Sequence, residues 1–293
     1  MNWYSINVFF YLCHHGMALT NKTKHLTKGA SLFKHRGANL ELNMTTPSDT
    51  QIDIIFLHTN RITKKTIENL MHILSDREIQ CARQILNSEE KNQFILSRTL
   101  LRTALHDITS VPPNNWVIET TEFGKPYISA PVDYTNVTFS SSHSNGLISC
   151  ALTARRSVGI DVEFVNVKTD IEPIAKRLFT REEYQDIVVR PISERTDAFY
   201  KYWTLKEAYA KARGDGMLLN LDVSFVIDPR AEFRYPVSDS SAHWYFKRIE
   251  VTPSHMVTLA YSGVQRENIH IVCNEYLVNG HTFVKSHSQI PQN

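Results

Sequence analysis

Apolar and polar positions follow no sustained period before residue 51, and the pattern becomes regular at "IDIIFLHT" (Ile52–Thr59), an apolar run of strand length. A helical pattern continues through "IENLMHILSDREIQCARQIL", and another covers Ser88–Ile108, where Phe94, Leu101, Ala104 and Leu105 recur near helical spacing. Ser88 reads as the N-cap of that second helix, with acids in its first turn, and "VPPNN" ends it. Three strand-like runs follow, "WVIETTEF", "NVTFSSSH" and "GLISCALTA", and they lead into "SVGIDVEFV". The second half repeats the order. Helical patterns cover Ile171–Arg177, Arg181–Val189 and Glu194–Arg213, the last ended by Gly214, before strands "LDVSFVI", "HWYFKRIEV" and "MVTLAYSG". Helices first and antiparallel-looking strands after, twice over, predict an α+β fold of two similar halves meeting near Arg155–Val165, and argue against a doubly wound parallel sheet. The expected division is an irregular extension over 1–50, an N-terminal half over 51–155 and a C-terminal half over 156–267. A C-terminal strand and a loose polar tail complete the chain over 268–293.

One stretch breaks the hydrophobic logic. In "VGIDVE" (Val158–Glu163), Ile160 and Val162 share one face of the expected strand, and Asp161 and Glu163 share the other. Carboxylates are rarely buried without a partner, so that face is either solvated or shared with a cation. A second stretch, "YWTLKEAYAKARGDG" (Tyr202–Gly216), places Trp203, Glu207 and Lys211 four apart along one helical stripe, with Lys206 on the adjoining stripe beside Phe199 and Tyr202. Such spacing commonly gives no more than an exposed Glu–Lys pair, but a large aromatic on the same stripe points to the edge of a cleft. Asp161, Glu163 and Glu207 together would form an oxygen-rich site suited to Mg²⁺, and lysines beside it suit a polyphosphate. Weaker signals are Lys125 in the turn-like "FGKPY" and Ser142 and His143 at the hydroxyl-rich end of "FSSSHS".

Composition narrows the classes. Of 293 residues, 32 are Lys or Arg and 30 Asp or Glu, a net charge of +2 that gives no global case for nucleic-acid binding. No apolar run approaches twenty residues, so no membrane span is expected. Cys13, Cys81, Cys150 and Cys273 are scattered without a CxxC pair, which fits a reduced, cytoplasmic setting. The histidines show no HExxH spacing, no GxxxxGK[ST] loop is present, and no GxSxG elbow surrounds Ser142. Residues 1–44 carry Lys22, Lys24, Lys28, Lys34 and Arg36 against the single acid Glu41. They read as a disordered extension, or as sequence ahead of a start at Met17 or Met44, with a basic tail for an acidic partner as the alternative.

The order "FGKPY", "FSSSHS", "VGIDVE", "RLFTREEY", "YWTLKEAYAKARGDG" and "LDVSFVI" resembles the larger, pseudo-dimeric 4′-phosphopantetheinyl transferases of the surfactin-synthetase-activating type, over Asp53–Gly263. The resemblance implies two halves related by a pseudo-twofold, with the active-site cleft between them. It also implies transfer of the phosphopantetheine arm of coenzyme A to a serine of an apo acyl or peptidyl carrier protein, with Mg²⁺ as cofactor and adenosine 3′,5′-bisphosphate as the second product. By motif, Asp161, Glu163 and Glu207 become the Mg²⁺ ligands, and Glu207 and Lys211 the catalytic pair. Lys206 and Lys211 face the coenzyme A diphosphate, His143 meets the 3′-phosphate with Ser142 beside it, and Lys125 lies near the adenine end. The family's usual basic cluster is thin here, and Arg98 with Arg102 would take over its role at the 3′-phosphate. A monomer that binds neither nucleic acid nor membrane is expected. The competing readings are a catalytically silent relative that only binds carrier protein or coenzyme A, and another Mg²⁺-dependent phosphate enzyme such as a nuclease.

Overall fold

The computed structural model describes residues 47–214, 223–235, 243–264 and 268–289. The expected extension over 1–50 therefore lies almost wholly outside the described residues. Strand β1 (Gln51–His58) is buried on both faces: Ile52, Ile54 and Phe56 turn one way, Ile55 and Leu57 the other. The helical stretch that follows is broken in two, giving α1 (Lys64–Leu70) and α2 (Asp76–Gln84). Ser75 is the cause. Its hydroxyl accepts from the Glu78 N–H and the Glu78 carboxylate accepts from the Ser75 N–H, a reciprocal cap that starts a new helix. Helix α3 (Ser88–Thr109) is capped by Asn87 rather than by Ser88 as expected: Asn87 Oδ1 accepts from the Glu89 and Glu90 N–H groups, so Ser88 is already inside the helix.

Strands β2 (Val117–Thr120) and β3 (Pro126–Ala130) form a small hairpin, and β4 (Val137–Ser144) and β5 (Leu147–Ala154) a longer one. After β6 (Val158–Phe164) come α4 (Ile171–Leu178), α5 (Arg181–Val189) and α6 (Ile192–Arg213), the last closed by Gly214 at φ 74°. Of the described residues of "LDVSFVI", only Phe225–Val226 form a strand, the short β7, paired with β8 (Glu232–Phe233). The remaining strands are β9 (His243–Arg248), β10 (His255–Gly263), β11 (His270–Asn279) and β12 (Thr282–Gln289). The expected loose tail after Gly280 is thus a strand. Gly280, at φ 63°, opens a two-residue turn after Asn279, a strong hairpin signal that the polar composition concealed.

Two larger sheets result, one ordered β12-β11-β1-β5-β4 and one ordered β6-β10-β9. Among their described strand pairs only β1–β11 runs parallel. The fold is α+β, as expected, with helices packed on mainly antiparallel sheets. Helices α1 to α3 cover one face of the first sheet, and α4 to α6 pack with the second. A third apolar cluster joins the two, drawing on β1, β5, β6, β10 and β11. Val158, Ile160 and Val162 of β6 enter that shared core, which fixes the opposite face of β6 toward α6.

The edge strands β4 and β6 meet at the seam between the sheets through serine side chains. Ser140 Oγ accepts from the Ile160 N–H at 3.1 Å, and Ser144 Oγ from the Phe164 N–H at 3.0 Å. On the other face of β6, helix α6 lies so close at Gly159 that a Cβ there would meet Ala208 O at 2.0 Å and Ala212 N at 2.5 Å. Both obstacles are backbone, so Gly159→Ala should lower stability by about 1–3 kcal/mol, the usual cost of overpacking. Urea unfolding measures it, and wild-type stability in the variant would mean that α6 does not rest on β6 at this point.

Candidate active site

The seam and the Gly159 contact gather one charged cluster. Asp161 and Glu163 project from β6 toward α6, whose stripe of Trp203, Glu207 and Lys211 faces them. Asp161 is 3% exposed. Its Oδ1 accepts from Lys211 Nζ at 2.7 Å and from Ser142 Oγ at 2.9 Å, and Lys211 also donates to Ser142 Oγ at 2.9 Å. The three groups close a triangle across β4, β6 and α6. Glu163 is held from two sides, by Trp203 Nε1 on Oε1 and Ser144 Oγ on Oε2, both at 3.2 Å. Ser144 is itself anchored: its carbonyl lies 3.1 Å from His255 Nε2 of β10. The ladder of Ser140, Ser142 and Ser144 was legible only as a hydroxyl-rich strand end. Alternate strand residues on one side make it a positioning device for both acids.

Crowding like charges where water is scarce sets the proton affinities. Burial, and then the Asp161 carboxylate, push Glu163 up to about 7 and Glu207 up to about 8. Burial alone would lower the Lys211 ammonium, but Asp161 and Glu207 outweigh it and hold the group above its ordinary value. Burial, reinforced by Lys211, holds His143 down to about 4, so it is a neutral imidazole near pH 7.

Hard carboxylate oxygens beside a cleft are the donor set that Mg²⁺ takes. One observation fits such an ion: Asp161 Oδ2 is buried and has no hydrogen-bond partner. As the side chains stand, however, no group of three or more His, Cys, Asp and Glu among the described residues surrounds a common point. The cation in contact with Asp161 is Lys211.

Not every expected residue joins the cluster. Lys206 is turned away: its ammonium pairs with Glu183 Oε2 at 3.0 Å, donates to Val223 O at 3.1 Å and lies over the Phe225 ring. It ties α5 to α6 inside the C-terminal core and does not face the cleft. Arg102, 1% exposed, donates to Glu78 Oε2 at 2.8 Å and to the carbonyls of Pro113 and Trp116. Arg98 lies 4.0 Å from the same glutamate and over the Phe94 ring. Both arginines serve the helical layer of the first half. Lys125 reaches the far end of α6, where Nζ donates to Ala212 O at 2.6 Å and the side chain crosses Gly214. It therefore sits one residue along the helix from Lys211, although the two lie far apart in sequence.

These affinities make stability depend on pH. Glu163 and Glu207 hold protons in the folded chain that their unfolded forms, near 4.5, release, so their stabilisation is lost as pH rises through 7 and 8. His143 works in the opposite sense, but only below its unfolded value of 6.5. In EDTA, stability should fall from pH 6.5 to 8.5, and Glu207→Gln should flatten the slope. Denaturant unfolding across that range checks it, and a stability rising with pH would contradict the burial of the acids.

Comparisons with known proteins cover the same segments. Residues 157–260 match the family model of the 4′-phosphopantetheinyl transferase superfamily, and residues 61–155 match that of the 4′-phosphopantetheinyl transferase N-terminal region. The chain is 31% identical over 163 residues to the 4′-phosphopantetheinyl transferase HetI of Nostoc sp., covering 56% of this chain and 69% of that one. It is 28% identical over 199 residues to the 4′-phosphopantetheinyl transferase Sfp of Bacillus subtilis, covering 68% and 86%. With the 4′-phosphopantetheinyl transferase gsp of Aneurinibacillus migulanus it shares 30% over 178 residues, covering 60% and 71%. A chain that matches both family models in order, with the acidic strand and the Glu–Lys helix inside the second along the chain, belongs to the 4′-phosphopantetheinyl transferase superfamily.

Proposed function

We propose that the protein transfers the 4′-phosphopantetheine arm of coenzyme A to the serine of an apo acyl or peptidyl carrier protein and releases adenosine 3′,5′-bisphosphate. The observation that carries the reading is the convergence of Asp161, Glu163, Glu207 and Lys211 at the seam between β6 and α6. In the transfer, a bond forms between the serine oxygen and the phosphorus that bears the pantetheine arm. The bond from that phosphorus to the bisphosphate oxygen breaks. Burial and the Asp161 carboxylate hold Glu207 well above the usual carboxylate range, which suits it to take the serine proton, directly or through a water. Lys211 offsets charge on the diphosphate as the leaving oxygen gains it. Lys125, at the end of α6, lies on the side where the adenine and phosphates would continue. His143, neutral beside Lys211, offers an N–H to the 3′-phosphate.

Mg²⁺ held by Asp161, Glu163 and Glu207 would supply polarisation of the diphosphate and charge neutralisation on the leaving group. Ser144 and Trp203 keep the Glu163 carboxylate aimed into the site, and Ser142 does the same for Asp161. No described helix is long and apolar enough to cross a membrane, which suits a donor and an acceptor that both arrive from water. Asp161→Asn and Glu207→Gln should each lower the transfer rate by roughly a hundredfold or more. Release of the bisphosphate, followed with an apo carrier protein and coenzyme A, measures this, and near wild-type rates in either variant would contradict the assignment.

A further inference from the structure

We propose that Lys211 is the internal counter-cation of the acidic face, holding the place of a divalent ion until the coenzyme A diphosphate draws it away, so that donor and ion bind cooperatively. The inference rests on the reading of the site given above. Its ground is the geometry at Asp161. Oδ1 is engaged twice, by the Lys211 ammonium at 2.7 Å and the Ser142 hydroxyl at 2.9 Å, while Oδ2 is buried and unpartnered. Among the acids Lys211 touches Asp161, and the charges of Glu207 and Glu163 also favour its ammonium. No three of the described acidic, His or Cys side chains surround a common point in this arrangement.

An ammonium and a divalent ion cannot share so small a water-poor space, because their repulsion is little screened there. Ion entry therefore requires Nζ to leave Asp161. Lysine suits the movement: a compact charge on a flexible four-carbon stem can swing without shifting the helix that carries it. The diphosphate provides the place to go, since it offers anionic oxygens in exchange for the carboxylate. Each ligand then raises the affinity of the other, and linkage makes the coupling reciprocal. The neighbouring lysines differ. Lys125 is fixed on the carbonyl of Ala212, and Lys206 on Glu183, so neither competes for the acidic face.

The test is calorimetric titration of the folded protein with MgCl₂ at pH 8.5, where protons do not take the place of the lysine. Without coenzyme A, Lys211→Met should bind Mg²⁺ roughly tenfold more tightly than wild type. Coenzyme A should then raise the wild-type affinity by a larger factor than that of the variant. Lys211→Gln, which removes the charge but keeps a donor for Asp161 and Ser142, should shift the affinity in the same direction by about threefold, and it keeps the inference testable if Lys211→Met does not fold. Equal or weaker Mg²⁺ binding by the variants, with binding by wild type intact, overturns this inference alone. Absence of Mg²⁺ binding in wild type and variants, with and without coenzyme A, overturns the metal assignment as well.

Discussion

Two carboxylates on one face of β6, met by a third from α6, would repel one another at a cost that a marginally stable fold cannot absorb unpaired. The protein meets that constraint with one ammonium and a set of hydroxyl and indole donors. Lys211 and Ser142 engage Asp161, Trp203 and Ser144 engage Glu163, and the remaining charge is moderated by raising the proton affinity of Glu163 and Glu207. The same arrangement leaves the site ready for chemistry. Acids that hold protons near neutral pH can exchange them with substrate, and a lysine committed to a carboxylate can be recommitted to a phosphate.

The rest of the architecture serves that face. Apolar residues of β6 lock its orientation by entering the core shared with β1, β5 and β10. Gly159 lets α6 approach β6 closely, which brings Glu207 and Lys211 within reach of Asp161. The serines of β4 then stitch the first sheet to the second along the strand that carries the acids. The site belongs to neither half alone, since its serine hydroxyls come from β4, and its acids, its ammonium and its indole from β6 and α6.

Much of this was legible in local patterns. Two-residue alternation in "VGIDVE" separates the acidic from the apolar face, and four-residue spacing aligns Trp203, Glu207 and Lys211, because each signal depends only on the geometry of its own element. What escaped depends on partners distant in the chain. Lys206 lies one position before Glu207 and looks equally functional, yet Glu183 on the preceding helix claims it. Arg98 and Arg102 are drawn to Glu78, whose place is fixed by the cap at Ser75. The return of β11 to pair with β1 joins residues more than two hundred positions apart, and no local period announces it. The serine ladder is intermediate: its alternation was visible, but its targets on β6 were not.

The proposed reaction has this cluster move a phosphopantetheine arm from coenzyme A to a carrier serine. Intact-mass spectrometry of an apo carrier protein incubated with the enzyme, coenzyme A and Mg²⁺ tests it most directly. The carrier should gain the mass of one phosphopantetheine arm, and the gain should vanish when EDTA is present and when the carrier serine is replaced by alanine. No gain on acyl or peptidyl carriers, with Mg²⁺ and coenzyme A both saturating, would contradict it.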